Sequence, residues 1–223
     1  RIRTGAVSGA ATDILARKES RIFALLGTGG QAVTQLEAVL AVRDIQLVKV
    51  YDLNEERAKA FAERMTKIFG NKSGLKILAA ETPEEAVQDA DIITTVTVAK
   101  TAVFDGKLVK KNVHINGVGS YTPDMAEIDE YIVTHADKVY VDTLDGVIRE
   151  SGDIIQPVHK GLFKESDITG ELGDVILGRV PGRESDDEMT YFETTGSAVL
   201  DLVTAKRMLE YAEQQGIGKI IEM

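Results

Sequence analysis

The chain has no cysteine and no tryptophan, and only three histidines and four prolines in 223 residues. Without cysteine there can be no disulfide, no thiolate metal ligand and no thiol nucleophile, which suits a cytoplasmic location. His114, His135 and His159 stand far apart with no second histidine or cysteine beside them, so no metal site is expected. No apolar run approaches the ~20 residues of a membrane span, and no signal peptide is visible. Basic residues are outnumbered, 26 against 36 acidic, for a net charge of −10. That balance disfavours nucleic acid or another phosphate-backbone partner, and with no long apolar run no membrane association is expected. The chain opens on Arg1 without an initiator methionine, and a segment preceding it is expected.

Glycines are plentiful and placed. The run "RIFALLGTGGQAVTQLEAVLAVRDIQLVKVYD", Arg21 to Asp52, begins with a short apolar stretch, Ile22 to Leu26, that reads as a buried strand. Gly27-Thr28-Gly29-Gly30-Gln31-Ala32 matches G-x-G-x-x-A. Apolar residues then recur at Ala32, Leu36, Val39 and Leu40 with helical spacing. Leu47 to Tyr51 reads as a second strand, closed by Asp52. Strand, glycine turn, helix, strand and terminal acid together form the dinucleotide-binding fingerprint. The first glycine makes the tight turn, and the second lets backbone approach a pyrophosphate. The small Ala32 lets helix and strand pack closely. Phosphate then meets the unpaired N–H groups of the helix start. Asp52 is placed to accept from the adenosine ribose hydroxyls, which predicts NAD(H) rather than its 2′-phosphorylated form. A glycine-rich turn kept only for packing would not require the acid at that spacing.

Further strands are predicted over "LKILAA", Asp91 to Val98, Asn112 to Val118 and "KVYVD". Helices lie between them: "LNEERAKAFAERMTKIFG" has Ala58, Phe61, Ala62, Met65 and Phe69 on one face, and "TPEEAVQDA" has Thr82 as N-cap with Pro83 at the first helical position. Alternating strands and helices predict an α/β, doubly wound parallel sheet with strand order 3-2-1-4-5-6. "TYFETT" is strand-like. "GSAVLDLVTAKRMLEYAEQQG" predicts a helix with Val199, Leu202, Val203 and Leu209 on its inner side.

Ligands of such sheets lie beyond the carboxyl ends of the strands. Four segments end there: Gly27 to Gln31 for pyrophosphate, Asp52 for ribose, Thr95-Val96-Thr97 after the fourth strand, and Gly117-Val118-Gly119 to Tyr121 after the fifth, facing a nicotinamide. β-Propensity alone also accounts for the threonines, and backbone room at a strand end accounts for Gly117 and Gly119.

"RTGAVSGAATDILAR", "GTGGQA", "INGVGSYTPDMAEID" and "TTGSAVLDLVTA", in that order and over nearly the whole chain, resemble the ornithine cyclodeaminase/mu-crystallin family. That family also holds alanine dehydrogenases and ketimine or pyrroline-carboxylate reductases. The resemblance implies a division into residues 1–18, a helix entering from an N-terminal substrate and dimer domain; 19–195, the dinucleotide-binding domain; and 196–223, a helix returning toward the second domain. It implies a homodimer acting on a small amino or imino acid with NAD(H). By the same resemblance Arg3 grips the substrate carboxylate, Gly196 lies beside the nicotinamide, and Asp201 is a recurrent acid of the last helix. Residues 1–223 alone are expected to bind nucleotide without turning over amino acid.

One position departs from the pattern. Where cyclodeaminases and some dehydrogenases carry an aspartate that acts as a base, this chain has Tyr121. Phenols titrate near pH 10 in model peptides, so at about neutral pH a phenol is a poor base but a usable proton donor. The expected activity is therefore an amino/imino acid oxidoreductase. Cyclodeamination of ornithine with recycled NAD, and a non-catalytic nucleotide-binding role, are the alternatives.

Overall fold

In a computed structural model, residues 1–70, 74–219 and 221 are described. The chain runs α1 (Ile2–Leu15), β1 (Ile22–Leu26), α2 (Ala32–Val42), β2 (Leu47–Tyr51), α3 (Glu55–Phe69), β3 (Lys76–Ala79), α4 (Pro83–Val87) and β4 (Ile92–Thr95). It continues through β5 (His114–Gly117), α5 (Glu130–His135), β6 (Lys138–Val141), α6 (Leu144–Glu150) and α7 (Gly152–His159). β7 (Gly170–Glu171), α8 (Leu172–Ile176), β8 (Thr190–Glu193) and α9 (Ala198–Gln215) complete it.

Among the described residues eight strands, all parallel, run in the order β3-β2-β1-β4-β5-β8-β6-β7. The doubly wound α/β sheet is as expected, but the order 3-2-1-4-5-6 is not. β8 enters between β5 and β6, so the sixth strand in sequence pairs with β8 instead of β5. The reason lies in "TYFE". All four residues are buried, with Tyr191 in the core on one face and Phe192 in the core on the other. A strand buried on both faces suits the interior of a parallel sheet, whose two faces are both covered by helices. β4 and β5 are also shorter than expected, because Val96 to Val98 and Val118 leave the ladder to line a cleft.

The two faces have separate cores. α4 to α7 cover one, packing Ala86, Ile132, Val147 and Ile154 on Leu26, Ile93, Ile115 and Tyr191. α2 and α3 cover part of the other, packing Leu36, Val39, Phe61 and Met65 on Phe23, Leu25, Val48 and Val50. α1 and α8 cover the remainder of that second face, over Tyr140 and Phe192. Local signals start the helices as expected. The Thr82 hydroxyl accepts from the Glu85 amide ahead of Pro83, and the Asn54 side chain caps α3 through the Arg57 amide.

α1 lies against α2 at close range because its small residues permit it. A Cβ on Gly5 would stand 2.5 Å from the Thr34 carbonyl oxygen, and one on Gly9 3.0 Å from the Ala38 methyl. Buried Arg43 closes the far end of α1, donating to the carbonyls of Thr12 (2.8 Å), Asp13 (2.9 Å) and Ala16 (2.8 Å). A buried polar contact from Asn116 Nδ2 to Thr12 Oγ1 (3.1 Å) ties the same helix to β5. These contacts fix where Arg3, in the first turn of α1, must sit.

α9 contradicts the expected inner face. Val199, Leu202, Val203 and Leu209 are 54–70% exposed, and no residue of the helix is buried. Periodicity shows that a helix has an apolar stripe, not which element covers it. Among the described residues nothing covers this one.

Candidate functional site

The strand order reverses between β1 and β4, and a cleft of about 780 Å³ opens there beyond the strand ends. Gly27, Thr28, Gly29, Gly30, Gln31, Asp52, Val96, Thr97, Val118 and Gly119 all line it, with Tyr121 at the rim. Gly27 has φ +103°, a conformation costly for any residue with a Cβ, and a Cβ there would stand 2.7 Å from the Val96 carbonyl oxygen. At Gly29 an added Cβ would meet nothing within 4 Å, so its backbone faces open space. A bare backbone edge at the start of α2 is a cradle for a dianionic phosphate group.

Asp52 does more than face the cleft. Its Oδ2 accepts from the Thr28 amide (3.0 Å) and hydroxyl (2.5 Å), and its Oδ1 from the Asn54 amide (3.0 Å). Burial opposes its ionisation, but these hydrogen bonds and nearby Arg57 outweigh that and hold the carboxyl below its usual range. The acid is therefore charged near neutrality, and it locks the glycine turn to the end of β2.

Thr95 and Gly117 do not line the cleft. Both are buried behind it, and a Cβ on Gly117 would overlap the Glu193 carboxylate. Their place in the site is indirect, since they set the strand ends from which the lining loops depart.

A second cavity, about 220 Å³, adjoins the first and shares Gln31, Val118 and Tyr121 with it. Arg3 and Gly196 line it, with Thr4, Thr194, Thr195 and Leu200. Three of its buried polar atoms, Thr4 Oγ1, Gln31 Oε1 and Thr195 Oγ1, have no hydrogen-bond partner. Buried polar atoms are rarely left so, and either water or a polar ligand in this cavity would satisfy them. The Arg3 guanidinium packs against Gly196. A Cβ there would stand 2.9 Å from its Nη1, and the φ of +94° also favours glycine. Nη1 donates to the Ser197 carbonyl (3.3 Å), and Nε pairs with Asp201 at 3.2 Å. Asp142, at the end of β6, holds this corner by accepting from Thr194 Oγ1 (2.6 Å) and the Gly196 amide (2.8 Å).

Beneath the loops after β4 and β5 lies a group of buried carboxylates. Glu127 accepts from the amides of Thr97 and Gly119. Asp153 accepts from the amides of Glu127 (2.7 Å) and Ile128 (2.9 Å). Glu193 accepts from Ser151 (2.7 Å) and the Tyr191 hydroxyl (2.5 Å). Burial, with the neighbouring Asp153 charge, pushes Glu127 up to about 7 against the pull of its hydrogen bonds. Burial likewise raises Asp153 to about 6 and Glu193 well above the carboxylate range. None of the three was singled out in the sequence. The available signal was an acid inside the otherwise apolar "MAEI", which reads equally well as a surface turn.

The remaining candidates are accounted for elsewhere. His114 is buried in β5, where burial and the Arg183 charge push it down to about 3, and it bonds Thr190 (2.9 Å) and Asn116 (3.1 Å). Asp124, which is not one of those candidates but is the first acid after Tyr121, pairs on the surface with Lys100 at 2.7 Å and lines neither cavity. Among the described residues no cluster of three or more His, Cys, Asp or Glu could hold a metal. No helix among them is long and apolar enough to cross a membrane.

The model of the ornithine cyclodeaminase/mu-crystallin family matches residues 1–216. A Delta(1)-pyrroline-2-carboxylate reductase of Bacillus cereus is 46% identical over 221 residues, which are 99% of this chain and 66% of that protein. The structure of the Thermococcus litoralis Delta(1)-pyrroline-2-carboxylate reductase in complex with NADH and L-proline matches with a TM-score of 0.93 at 42% identity. It covers 98% of this chain and 66% of its own. An archaeal alanine dehydrogenase dimer with bound NAD matches with a TM-score of 0.90 at 36% identity, over 99% of this chain and 66% of its own. The chain thus spans just under two thirds of the relatives it matches. With fold, motifs and family model agreeing over almost its whole length, the chain belongs to the ornithine cyclodeaminase/mu-crystallin family.

Proposed function

We propose that this chain carries the dinucleotide site and part of the substrate site of an NAD(H)-dependent oxidoreductase that interconverts a cyclic imino acid and its amino acid. Δ1-Pyrroline-2-carboxylate and proline are the first pair to test. The observation that carries this reading is the union of the two cavities. A guanidinium able to take a carboxylate lines a small cavity that shares Gln31, Val118 and Tyr121 with a cleft carrying the glycine turn and Asp52. The names of the relatives and the NADH and proline of one structural neighbour agree with it.

The roles follow from the chemistry. Gly27 to Gln31 hold the pyrophosphate, and Asp52 takes the ribose hydroxyls. The loops after β4 and β5 would hold the nicotinamide, whose chemistry there would be hydride transfer. Arg3 pairs with the substrate carboxylate through the guanidinium edge that Ser197 and Asp201 leave over. Tyr121 donates a proton to the imine nitrogen as the carbon is reduced, and receives it back in the reverse direction. We further propose that the native protein works as a homodimer, as its alanine dehydrogenase relative is solved.

Assaying the native protein with pyrroline-2-carboxylate plus NADH, and with ornithine plus catalytic NAD, tests this reading. Imine reduction should dominate, and Tyr121→Phe should lower kcat by about 10²-fold, within the usual range for a lost general acid. Faster release of ammonia and proline from ornithine than reduction of any imine would refute the reductase reading. An unchanged kcat in the Phe variant would remove only the proton-donor role.

Cofactor choice should follow Asp52. A 2′-phosphate would bring like charge against a carboxylate that is ionised at neutral pH. At about 4 Å and an effective dielectric of ~20 this costs about 4 kcal/mol, less after solvent screening and the help of Arg57 on the same cleft wall. Dissociation constants should favour NADH over NADPH by about 10-fold or more. Equal or tighter NADPH binding would refute the role given to Asp52.

A further inference from the structure

Glu127 is fully buried, and its carboxylate is shared between two loops that approach the cleft from different strands. One oxygen accepts from the Thr97 amide in the loop after β4, and the other from the Gly119 amide in the loop after β5. The residue is itself held rigidly. Its amide donates to Asp153 at 2.7 Å and its carbonyl accepts from Val103 at 2.9 Å. Next to it the Ala126 amide donates to the Ala99 carbonyl at 3.0 Å. Segment 126–128 is thereby strapped along the loop that forms one wall of the cleft, while the side chain reaches through to the other wall. Gly119 gives an independent sign that the arrangement is tight. A Cβ there would overlap both the Thr97 carbonyl oxygen and the Glu127 carboxylate. A glycine is needed because the clasp leaves no room for a side chain.

We propose that Glu127 is a positioning residue that sets the separation of the Thr97 and Gly119 loops, and so the width of the cleft end that receives the ring of the dinucleotide. This rests on the dinucleotide reading given above. The adenosine end depends on other contacts, Gly27 to Gln31 and the Asp52 lock, and none of these touches Glu127. The two ends of the cleft are therefore separable by mutation. A carboxamide cannot replace the carboxylate here. Its NH₂ would face a second N–H donor, so one loop would be released.

The test compares NADH with ADP-ribose, which keeps the adenosine, both phosphates and the second ribose but lacks the nicotinamide. Binding is measured by calorimetry on the wild type, Glu127→Gln and Glu127→Asp, with thermal melting of each unliganded protein as the folding control. Glu127→Gln should weaken NADH tenfold or more while ADP-ribose stays within twofold. Glu127→Asp, too short to span both amides, should behave likewise. Equal weakening of both ligands would mean a general structural role and would overturn the proposal, as would unchanged NADH affinity. A wild type that binds neither ligand refutes the dinucleotide reading itself. Amide hydrogen exchange in the unliganded wild type provides a check that needs no variant. Thr97 and Gly119 should exchange as slowly as amides of the neighbouring strands, and rapid exchange at either would show that no clasp exists.

Discussion

Arg3→Ala should lower kcat/KM for the imino acid by about 10²- to 10³-fold in the native protein, while the dissociation constant for NADH stays within about twofold. The size follows from losing two charge-assisted hydrogen bonds to a carboxylate, each worth about 1.5–3 kcal/mol. A second penalty adds to it. Removing the guanidinium leaves the Asp201 carboxylate, its ion-pair partner, uncompensated near the cavity that Arg3 lines. Arg3→Lys should recover little, because an ammonium cannot reach Ser197, Asp201 and a ligand with a planar fork. The double variant Arg3→Ala/Asp201→Asn should do better than Arg3→Ala alone, since it removes the stray anion. Steady-state kinetics with pyrroline-2-carboxylate as the varied substrate decide the matter. A kcat/KM within a factor of three of wild type for Arg3→Ala would show that the carboxylate is held elsewhere.

Gly119→Ala should cost about 3 kcal/mol of stability or more and lower the melting temperature by roughly 6–12 °C. The added methyl overlaps a backbone carbonyl at Thr97 and the buried Glu127 carboxylate, neither of which has room to retreat. Moving either also breaks the hydrogen bond from the Gly119 amide. Gly29→Ala is the informative contrast. Its methyl would meet nothing within 4 Å, so melting should be unchanged while dinucleotide affinity falls, because backbone can no longer approach the pyrophosphate. Thermal melting of the two variants beside NADH binding checks both halves. A Gly119→Ala protein that melts within about 2 °C of wild type would contradict the packing argument.

The first half of the fold was legible because its signals are local. β1 and β2 lie where the apolar runs place them, the Thr82-Pro83 start begins α4, and the apolar face of α3 is the buried one. The glycine turn could be recognised because strand, turn and helix are adjacent in sequence. The position of β8 was not legible. Four residues, "TYFE", carry no mark of which strands flank them, and that choice is made by packing between segments far apart in the chain. The same limit explains α9, whose apolar stripe shows in the sequence without its covering partner. At the site, Gly27, Gly29 and Asp52 stood out because their expected roles depend on residue type and near spacing, whereas Arg3 stood out only through the family resemblance. Glu127 and Asp153 did not, because a buried acid differs from a surface acid only through its tertiary surroundings.

Arg3 and the Ser197 carbonyl that steadies it are separated by 194 residues. One wall of the smaller cavity comes from the first turn of α1 and the other from the approach to α9. The residues that line the dinucleotide cleft end at Tyr121, and Glu127, which clasps two of its loops, follows soon after. During synthesis on the ribosome, a growing chain can therefore shape its nucleotide cradle well before the residues that steady its carboxylate anchor exist. Contacts closing such long loops tend to form late, after shorter-range structure has offset their entropy. In a nascent or refolding chain, cofactor capture would come before substrate recognition, with the nucleotide stabilising the half-built protein on which the second site is assembled.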